Sequence, residues 1–418
     1  MQGRQSSTKN KAWKTKVLLF AILACGIETV PDEGAAEPAP TQEPVSIPAP
    51  VATSRARTLA TPLETTPAWI QAQHTLETVV RTHGTDPSSP WAIGHSLVAM
   101  GADLKLSNGE DAVQWLFSQY ATRVPLEDSW VLSFPESKDN RPVEPHPGQL
   151  LKALTDAGVS PSTVVTVDGH PHTTGDLYRG VLARTWFDNK TGHSSFKETN
   201  DIPWTLFGLA NWSNPGLTWT DEQGHTTTLH DLTTHASMKL STATQFLSKA
   251  AHHKTQFTKR GQGIFQYTCG GAHMIQGVTR AKVKGFGHNT SDGPFRHQLR
   301  LLQYRFPQEL AQIDAGAKAS PSHAIPLAVQ RLKLSGHTLE TLGQLAVSEH
   351  PDAPRPEELQ PIADEVFRSV ALLESLSVFK NLSIMKTENE QMFLDIIGDS
   401  AHALRGLRIA QGEGSVYY

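Results

Sequence analysis

The sequence predicts an all-α protein built from paired antiparallel helices with small β-hairpin insertions. Apolar residues recur every three or four positions over long stretches, as at Val366, Val370 and Leu373, and this period places them on one face of a helix. Breakers such as Pro321 and the segment Pro351–Pro354 separate these stretches. Neighbouring helices are therefore joined by short connections and are expected to pack as pairs.

Individual elements follow from local signals. A first helix is expected over Trp69–Thr82, and Pro90-Trp91 opens a second. Val164–His170 and Leu217–His225 each place an acid and a glycine in a tight turn before threonines, which predicts a β-hairpin followed by a capped helix. Residues 123–145 are rich in proline and are expected to form a loop. Later in the chain, long helices are expected over 228–254, 263–283, 294–317, 323–348, 357–383 and 385–410.

The N-terminus carries a targeting signal. Three lysines precede the apolar run Val17–Leu23, and Ala24 stands directly before Cys25. The run is shorter than the roughly 20 residues that span a bilayer, and its basic start and small-residue end fit an export signal. The segment resembles the signal peptide and lipobox of a bacterial lipoprotein. That resemblance implies a lipid on Cys25, which then becomes the mature N-terminus.

The chain divides into residues 1–24 as signal peptide, 25–66 as a disordered linker rich in Pro, Ala and Glu, and 67–418 as a helical domain. Lipidation would hold this domain at the cell envelope. Gly26 lacks the acid that often retains Gram-negative lipoproteins at the inner membrane, which favours the outer membrane or the cell surface. Cys269 is then the one remaining thiol, so no intrachain disulfide is expected.

The charge of the chain argues against a nucleic-acid partner. Residues 1–24 contain five basic residues and no acid, so the mature chain keeps 32 basic and 41 acidic residues, a net charge of −9. A nucleic-acid-binding protein needs a basic surface. The expected partners are instead the membrane, through the lipid, and a glycan, a peptide or an envelope protein.

The segment 261–277 is the strongest candidate for chemistry. Cys269 and His273 lie four residues apart and share one face if the segment is helical. Gly270 and Gly271 would each cost about 1 kcal/mol in a helix interior, so a packing or functional reason is expected. Zinc binding, a cysteine nucleophile activated by histidine, and acid/base catalysis by His273 are all compatible with these residues.

A purely structural role explains the same residues: a buried cysteine, a close helix crossing at the glycines and a histidine in the core. Zinc needs further ligands that the sequence does not identify, so no metal site is predicted and the cofactor is unknown. His95 also follows a glycine within an apolar segment. The predicted catalytic residues are His273, His95 and Cys269. Nearby aromatic and polar side chains are candidates for ligand binding, namely Trp91, Trp204, Tyr267 and Gln276.

The helix pairs that bear histidine and glycine, above all segments 201–212 and 268–277, resemble the α/α toroids of terpenoid-cyclase-like, prenyltransferase-like and polysaccharide-lyase-like proteins. The resemblance implies a ring of inner helices with a ligand in its central funnel. Some members hold zinc there through Asp, Cys and His, to which only Cys269 and His273 correspond here. The aspartate-rich motif of terpene cyclases is absent.

Two functions remain open at this point. The first is an envelope-anchored lipoprotein whose helical body binds a ligand or partner. The second is a toroid enzyme, a hydrolase or lyase that acts on a glycan or peptide through histidine acid/base chemistry. A structure discriminates between them by whether His95 and His273 face the same cavity.

Overall fold

A computed structural model of the chain describes residues 46–51, 56–127, 129–221 and 223–417. The predicted signal peptide and Cys25 lie outside these ranges. Within them, the helices in chain order are α1 (Pro67–His83), α2 (Pro90–Met100), α3 (Ala112–Tyr120), α4 (Gln149–Asp156), α5 (Thr174–Ala183), α6 (Ile202–Trp212), α7 (Leu229–Ala243), α8 (Gln245–His253), α9 (Ala272–Val283), α10 (Asp292–Ala319), α11 (Ala324–Val347), α12 (Pro356–Ser375), α13 (Leu382–Glu388) and α14 (Glu390–Ala410).

Short strands form antiparallel pairs beside the helices, and the predicted all-α class with small β-hairpin insertions is confirmed. The first strand pairs with the last one, and every other strand pairs with its neighbour along the chain. The strands are β1 (Ala56–Arg57), β2 (Thr122–Leu126), β3 (Ser129–Ser133), β4 (Ser137–Lys138), β5 (Arg141–Pro142), β6 (Val164–Val167), β7 (His170–Thr173), β8 (Thr218–Thr220), β9 (Thr226–Thr228) and β10 (Val416–Tyr417).

Six helices close a ring in chain order. Helix α2 packs against α4, α4 against α6, α6 against α9, α9 against α11, and α11 against α14, which returns to α2. Helices α1, α3, α5, α7, α10 and α12 pack on these inner helices from outside. Along the chain each outer helix precedes an inner one, directly or, for α7 and α12, after the additional helices α8 and α13. The architecture is therefore an α/α toroid of six helix pairs.

The burial of the helices explains which of them lie inside. Every residue of α4 and of α6 is buried, as expected for a helix that packs on all sides. The outer helix α12 buries Leu359, Val366, Val370 and Leu373 on one face and exposes the opposite one. The amphipathic spacing in the sequence is therefore clearest in the outer helices.

Several predicted boundaries differ from the structure. The helix expected over 228–254 is broken at Thr244, and the segment 123–145, expected as a loop, contains the hairpins β2–β3 and β4–β5. The helix expected over 263–283 begins only at α9, because Cys269 has a left-handed backbone with φ 52°. The helix expected over 357–383 ends with α12, since Ser377 has φ 58°.

The end of the predicted linker packs on the helical unit, so the ordered unit begins before the predicted boundary at residue 67. Leu59 and Leu63 are buried, and the Leu63 amide donates a hydrogen bond of 2.9 Å to the Ala410 carbonyl. Strand β1 also pairs with β10. Apolar side chains that recur within this proline-containing stretch explain its attachment to the core.

Among the helices that the structure describes, none unites the length with the apolar character that crossing a bilayer requires.

Candidate functional site

A cavity of about 320 Å³ lies within the inner ring, and all six inner helices line it. Along α14, the lining residues run from the exposed Gln391 through Asp395 and Asp399 to the buried His402. Eleven residues of helix correspond to a depth of about 16 Å. The other inner helices contribute Trp91 and His95 from α2, Gln149 from α4, Trp204 from α6, His273 from α9, and Lys333 and His337 from α11.

Three imidazoles from neighbouring inner helices meet in the deep part of the cavity. The ring centres of His337 and His402 are 4.0 Å apart, and that of His273 lies 4.8 Å from His337 and 5.3 Å from His402. All three side chains are buried. Burial lowers their pKa values well below the ordinary value of imidazole, because desolvation disfavours the charged form. Each neutral ring keeps one unprotonated nitrogen.

A buried glutamate orients His402. The His402 Nδ1 atom lies 2.7 Å from Glu340 Oε2, and Nδ1 carries the proton because a carboxylate only accepts. The lone pair is then on His402 Nε2, which is buried and has no hydrogen-bond partner among the described residues. A carboxylate behind an imidazole in this way typically supports a metal-binding or catalytic histidine.

His95 enters the same cavity from α2. Its Nδ1 atom lies 2.9 Å from the Trp91 carbonyl oxygen, so Nδ1 is the donor and Nε2 bears the lone pair. Its ring centre is 5.4 Å from that of His402, edge to face, and burial lowers its pKa to about 4. Gly398 permits this arrangement, since a Cβ atom there would lie 2.8 Å from the Trp91 ring.

Trp204 is held between two imidazoles. Its ring centre lies 3.9 Å from that of His146, with an angle of 4° between the planes, and 4.8 Å from that of His273. Asp201 holds His146 in place through a contact of 3.0 Å between Oδ1 and Nδ1. Trp204 therefore packs against both imidazoles and helps to position them in the cavity wall.

A lysine and two aspartates line the shallower part of the cavity. Lys333 Nζ lies 3.6 Å from Asp395 Oδ2 and 3.8 Å from Asp399 Oδ2. Burial alone would lower the pKa of Lys333, but Asp399 and its other acidic neighbours raise it above its ordinary value. The lysine is therefore a fixed positive charge in this wall.

Cys269 lies in a left-handed turn just before α9. Its backbone has φ 52° and ψ 34°, and Gly270 and Gly271 continue the turn with φ 61° and 79°. This conformation is unfavourable by roughly 1–2 kcal/mol for a residue with a Cβ atom, and such residues concentrate at functional sites. Burial raises the pKa of the Cys269 thiol to about 12, so a free thiolate nucleophile is disfavoured.

The three residues predicted as catalytic, His95, Cys269 and His273, all line this one cavity. Cys269 reaches it through the left-handed turn and not through the helical spacing that the sequence indicated. Of the residues predicted to bind a ligand, Trp91 and Trp204 line the cavity. The other two lie outside its walls: Gln276 is buried within α9, and Tyr267 is half-buried in the turn before it.

Four further residues of the cavity and its support were not predicted from the sequence, namely His146, His337, Glu340 and His402. A signal for three of them was present, because Glu340 follows His337 by three residues and His402 follows Asp399 by three. Residues three apart share a helix face. Burial of a polar side chain without a hydrogen-bond partner is unfavourable. A pair of polar residues on one face of an otherwise apolar helix therefore indicates an internal site.

Two overlapping groups of residues could hold a metal ion. Cys269, His273 and His337 each offer a ligand atom, all within 4.8 Å of one another, and so do His337, Glu340 and His402. Imidazole, thiolate and carboxylate are the usual ligands of zinc, and the same imidazoles can also transfer protons. The cavity is therefore suited to acid/base or metal-assisted chemistry. No protein-family model, curated protein or solved structure matches this chain.

Proposed function

We propose that the chain is an α/α-toroid enzyme that cleaves a glycan or a peptide in the histidine-lined cavity, by hydrolysis or by elimination. The observation that carries the proposal is the convergence of His95, Cys269 and His273 on this cavity. Several buried polar atoms of its walls, including His273 Nδ1 and His337 Nε2, lack hydrogen-bond partners within the described part of the chain. Such atoms destabilise a fold, and their concentration at one cavity favours a functional role.

A second cavity of about 490 Å³ supports a chain-like substrate. Pro145 and His146 belong to the walls of both cavities. Charged side chains such as Glu136 and Glu198 line the second one and suit the hydroxyl and amide groups of a glycan or peptide. In this proposal the bond that breaks lies in the central cavity, and the adjoining units of the substrate lie in the second cavity.

His95 is the proposed acid/base group, because its hydrogen bond to the Trp91 carbonyl leaves Nε2 free to accept a proton. In hydrolysis, Nε2 takes a proton from water while the water oxygen bonds to the carbon at the cleaved bond. In elimination, Nε2 takes a proton from carbon, a double bond forms, and no water enters. In both reactions the departing group leaves with the bonding electron pair and receives a proton.

Mass spectrometry of the products tests this proposal. The purified full chain is incubated separately with peptidoglycan fragments, uronate-containing polysaccharides and a mixed peptide library, and we expect cleavage of one class. The product masses add up to the substrate plus one water for hydrolysis, and to the substrate alone for elimination. We expect His95→Gln to lower kcat by at least about 100-fold, since a positioned acid/base group contributes roughly 10²–10⁴-fold.

His170→Gln is the matched control, because His170 is exposed and lies outside both cavities. Its kcat should equal that of the wild-type protein. Equal kcat values for His95→Gln and the wild type would remove His95 from the reaction. Saturable binding of one of these substrates without any product would instead favour the ligand-binding lipoprotein over the enzyme.

We also propose that a lipid on Cys25 attaches the protein to the cell envelope. Acyl chains favour a membrane by about 0.8 kcal/mol per buried methylene, so the protein purified from a bacterial host that processes lipoproteins should enter the detergent-rich phase of a Triton X-114 extraction. Cys25→Ser should remain in the aqueous phase. Partition of both proteins into the same phase would refute lipid attachment at this cysteine.

A further inference from the structure

We propose that His273, His337 and His402, with the sulfur of Cys269 as fourth ligand, bind one Zn²⁺ ion in the deep part of the central cavity. This inference goes beyond the cleavage reaction, because binding of the ion requires no substrate. It concerns residues on three inner helices that are adjacent in the ring, α9, α11 and α14.

The donor atoms are already close to the spacing of a zinc coordination shell. Ligand atoms of Cys269, His273 and His337 lie within 4.8 Å of one another, and the His402 ring centre is 4.0 Å from that of His337. Zinc binds nitrogen and sulfur at about 2.0–2.3 Å, which places tetrahedral donors roughly 3.3–3.8 Å apart. The donors therefore lie somewhat farther apart than in a bound zinc site, and we expect the side chains to rotate towards the ion when it binds.

Three nitrogens of this cluster lack a hydrogen bond within the described residues, and the carboxylate contact to one of them is long, since Asp399 Oδ1 lies 3.7 Å from His337 Nε2. His273 Nδ1, His337 Nε2 and His402 Nε2 are all buried without a hydrogen bond. A buried polar atom left without a hydrogen bond destabilises a protein, so three in one place are a large destabilisation. Coordination of a metal ion by these lone pairs offsets it.

Glu340 supplies the outer contact that a ligating histidine needs. It accepts a hydrogen bond from His402 Nδ1 at 2.7 Å and so leaves the lone pair on His402 Nε2 for the ion. Its charge fits as well. A divalent ion with one thiolate and three neutral imidazoles carries one net positive charge, and the Glu340 carboxylate behind His402 is one of the acidic groups that would balance it.

The donor types select the metal. Imidazole and thiolate prefer zinc and neighbouring transition metals, whereas Mg²⁺ and Ca²⁺ prefer oxygen ligands. The Cys269 thiol loses its proton to solvent as the zinc–sulfur bond forms. The left-handed turn at Cys269, with φ 52°, is explained if it serves to bring the sulfur to the ion. With His273 engaged as a ligand, His95 remains the proposed proton-transfer group.

Zinc titration of the full chain tests the site. The protein is stripped with a chelator and titrated with Zn²⁺ against a chromophoric competitor, and we expect one ion per chain. His337→Gln should lose more affinity than Glu340→Gln, whose outer contact should be worth about 10–100-fold. His170→Gln, an exposed histidine in strand β7, should bind as the wild type does.

Substitution with Co²⁺ tests the fourth ligand. The wild-type protein should show an absorption band from sulfur-to-cobalt charge transfer in the near ultraviolet. Cys269→Ser should lose this band and keep the visible cobalt bands, and circular dichroism checks that each variant folds. Absence of stoichiometric Zn²⁺ binding by the wild-type protein overturns the site whatever the variants do. Equal affinity of His337→Gln and the wild type also overturns it, and a charge-transfer band that survives in Cys269→Ser overturns the sulfur ligand.

The metal site and the cleavage reaction fail separately in these experiments. A chain that binds zinc but cleaves none of the three substrate classes retains the metal site and loses the proposed enzyme. A chain that cleaves one of them without binding zinc retains the enzyme and loses the metal site.

Discussion

Asp156→Ala should lower the free energy of unfolding by about 3–5 kcal/mol, because it removes the anion from a buried cluster of cations. Asp156 ends α4 and is fully buried. Its carboxylate lies 3.5 Å from Lys152 Nζ, 3.5 Å from Arg405 and 3.8 Å from Arg280, and it accepts a hydrogen bond of 3.2 Å from Gln344. These partners belong to α4, α14, α9 and α11, so one carboxylate joins four of the inner helices.

Chemical denaturation followed by circular dichroism measures this effect. The control is Asp103→Ala, since Asp103 is an exposed aspartate outside the helices, and a change within about 0.5 kcal/mol is expected there. Similar losses of stability for the two variants would show that the cations are satisfied without Asp156. The ring would then be held by apolar packing alone.

Gly277→Ala should be the second strongly destabilising change, with a loss of about 1–3 kcal/mol from overpacking. A Cβ atom at this position would lie 2.6 Å from the Pro203 carbonyl oxygen and 2.9 Å from its Cα. Both are backbone atoms of α6, so α9 and α6 must separate. This loss should exceed the gain of about 0.5–1 kcal/mol that alanine brings to a helix interior.

The same substitution should weaken zinc binding, because His273 lies one helical turn before Gly277 and packs on Trp204, the neighbour of Pro203. Gly293→Ala in the first turn of α10 is the control, since a Cβ atom there meets nothing within 4 Å. It should leave stability unchanged or raise it slightly. If Gly277→Ala proved as stable as Gly293→Ala, the close crossing of α6 and α9 would not constrain the ring.

Local signals predicted two of the hairpins, β6–β7 and β8–β9, and the helices that follow them. Strands β6 and β7 lead into α5, where Thr173 and Asp176 form a capping box, and β8 and β9 lead into α7, where the Thr228 hydroxyl accepts from the Asp231 amide. These features depend on residues within a few positions of one another. The turn at Cys269 was predicted wrongly as a helix. The spacing of apolar residues does not indicate that consecutive residues adopt a left-handed backbone conformation.

The candidate site was only half visible in the sequence. His95, Cys269 and His273 could be selected because each lies within two residues of a glycine in an apolar segment. Glu340 and His402 have no glycine beside them, and although Gly336 directly precedes His337, the partners of all three are far away in sequence. The contact between Glu340 and His402 spans 62 positions. Side chains so distant meet only because α11 and α14 are adjacent in the ring.

By itself the sequence determined the helical class, the places where most helices begin and the resemblance of the N-terminus to a lipoprotein signal. All of these depend on short-range chemistry: the spacing of apolar residues, the hydroxyl groups that cap helices, and the succession of basic, apolar and small residues at the N-terminus. Only the tertiary structure decided that four of the inner helices bring imidazoles to a single cavity, together with one thiol and the supporting carboxylates. The ring closes through contacts between helices that are distant in sequence, such as α2 and α14. No local sequence pattern specifies which helices become neighbours.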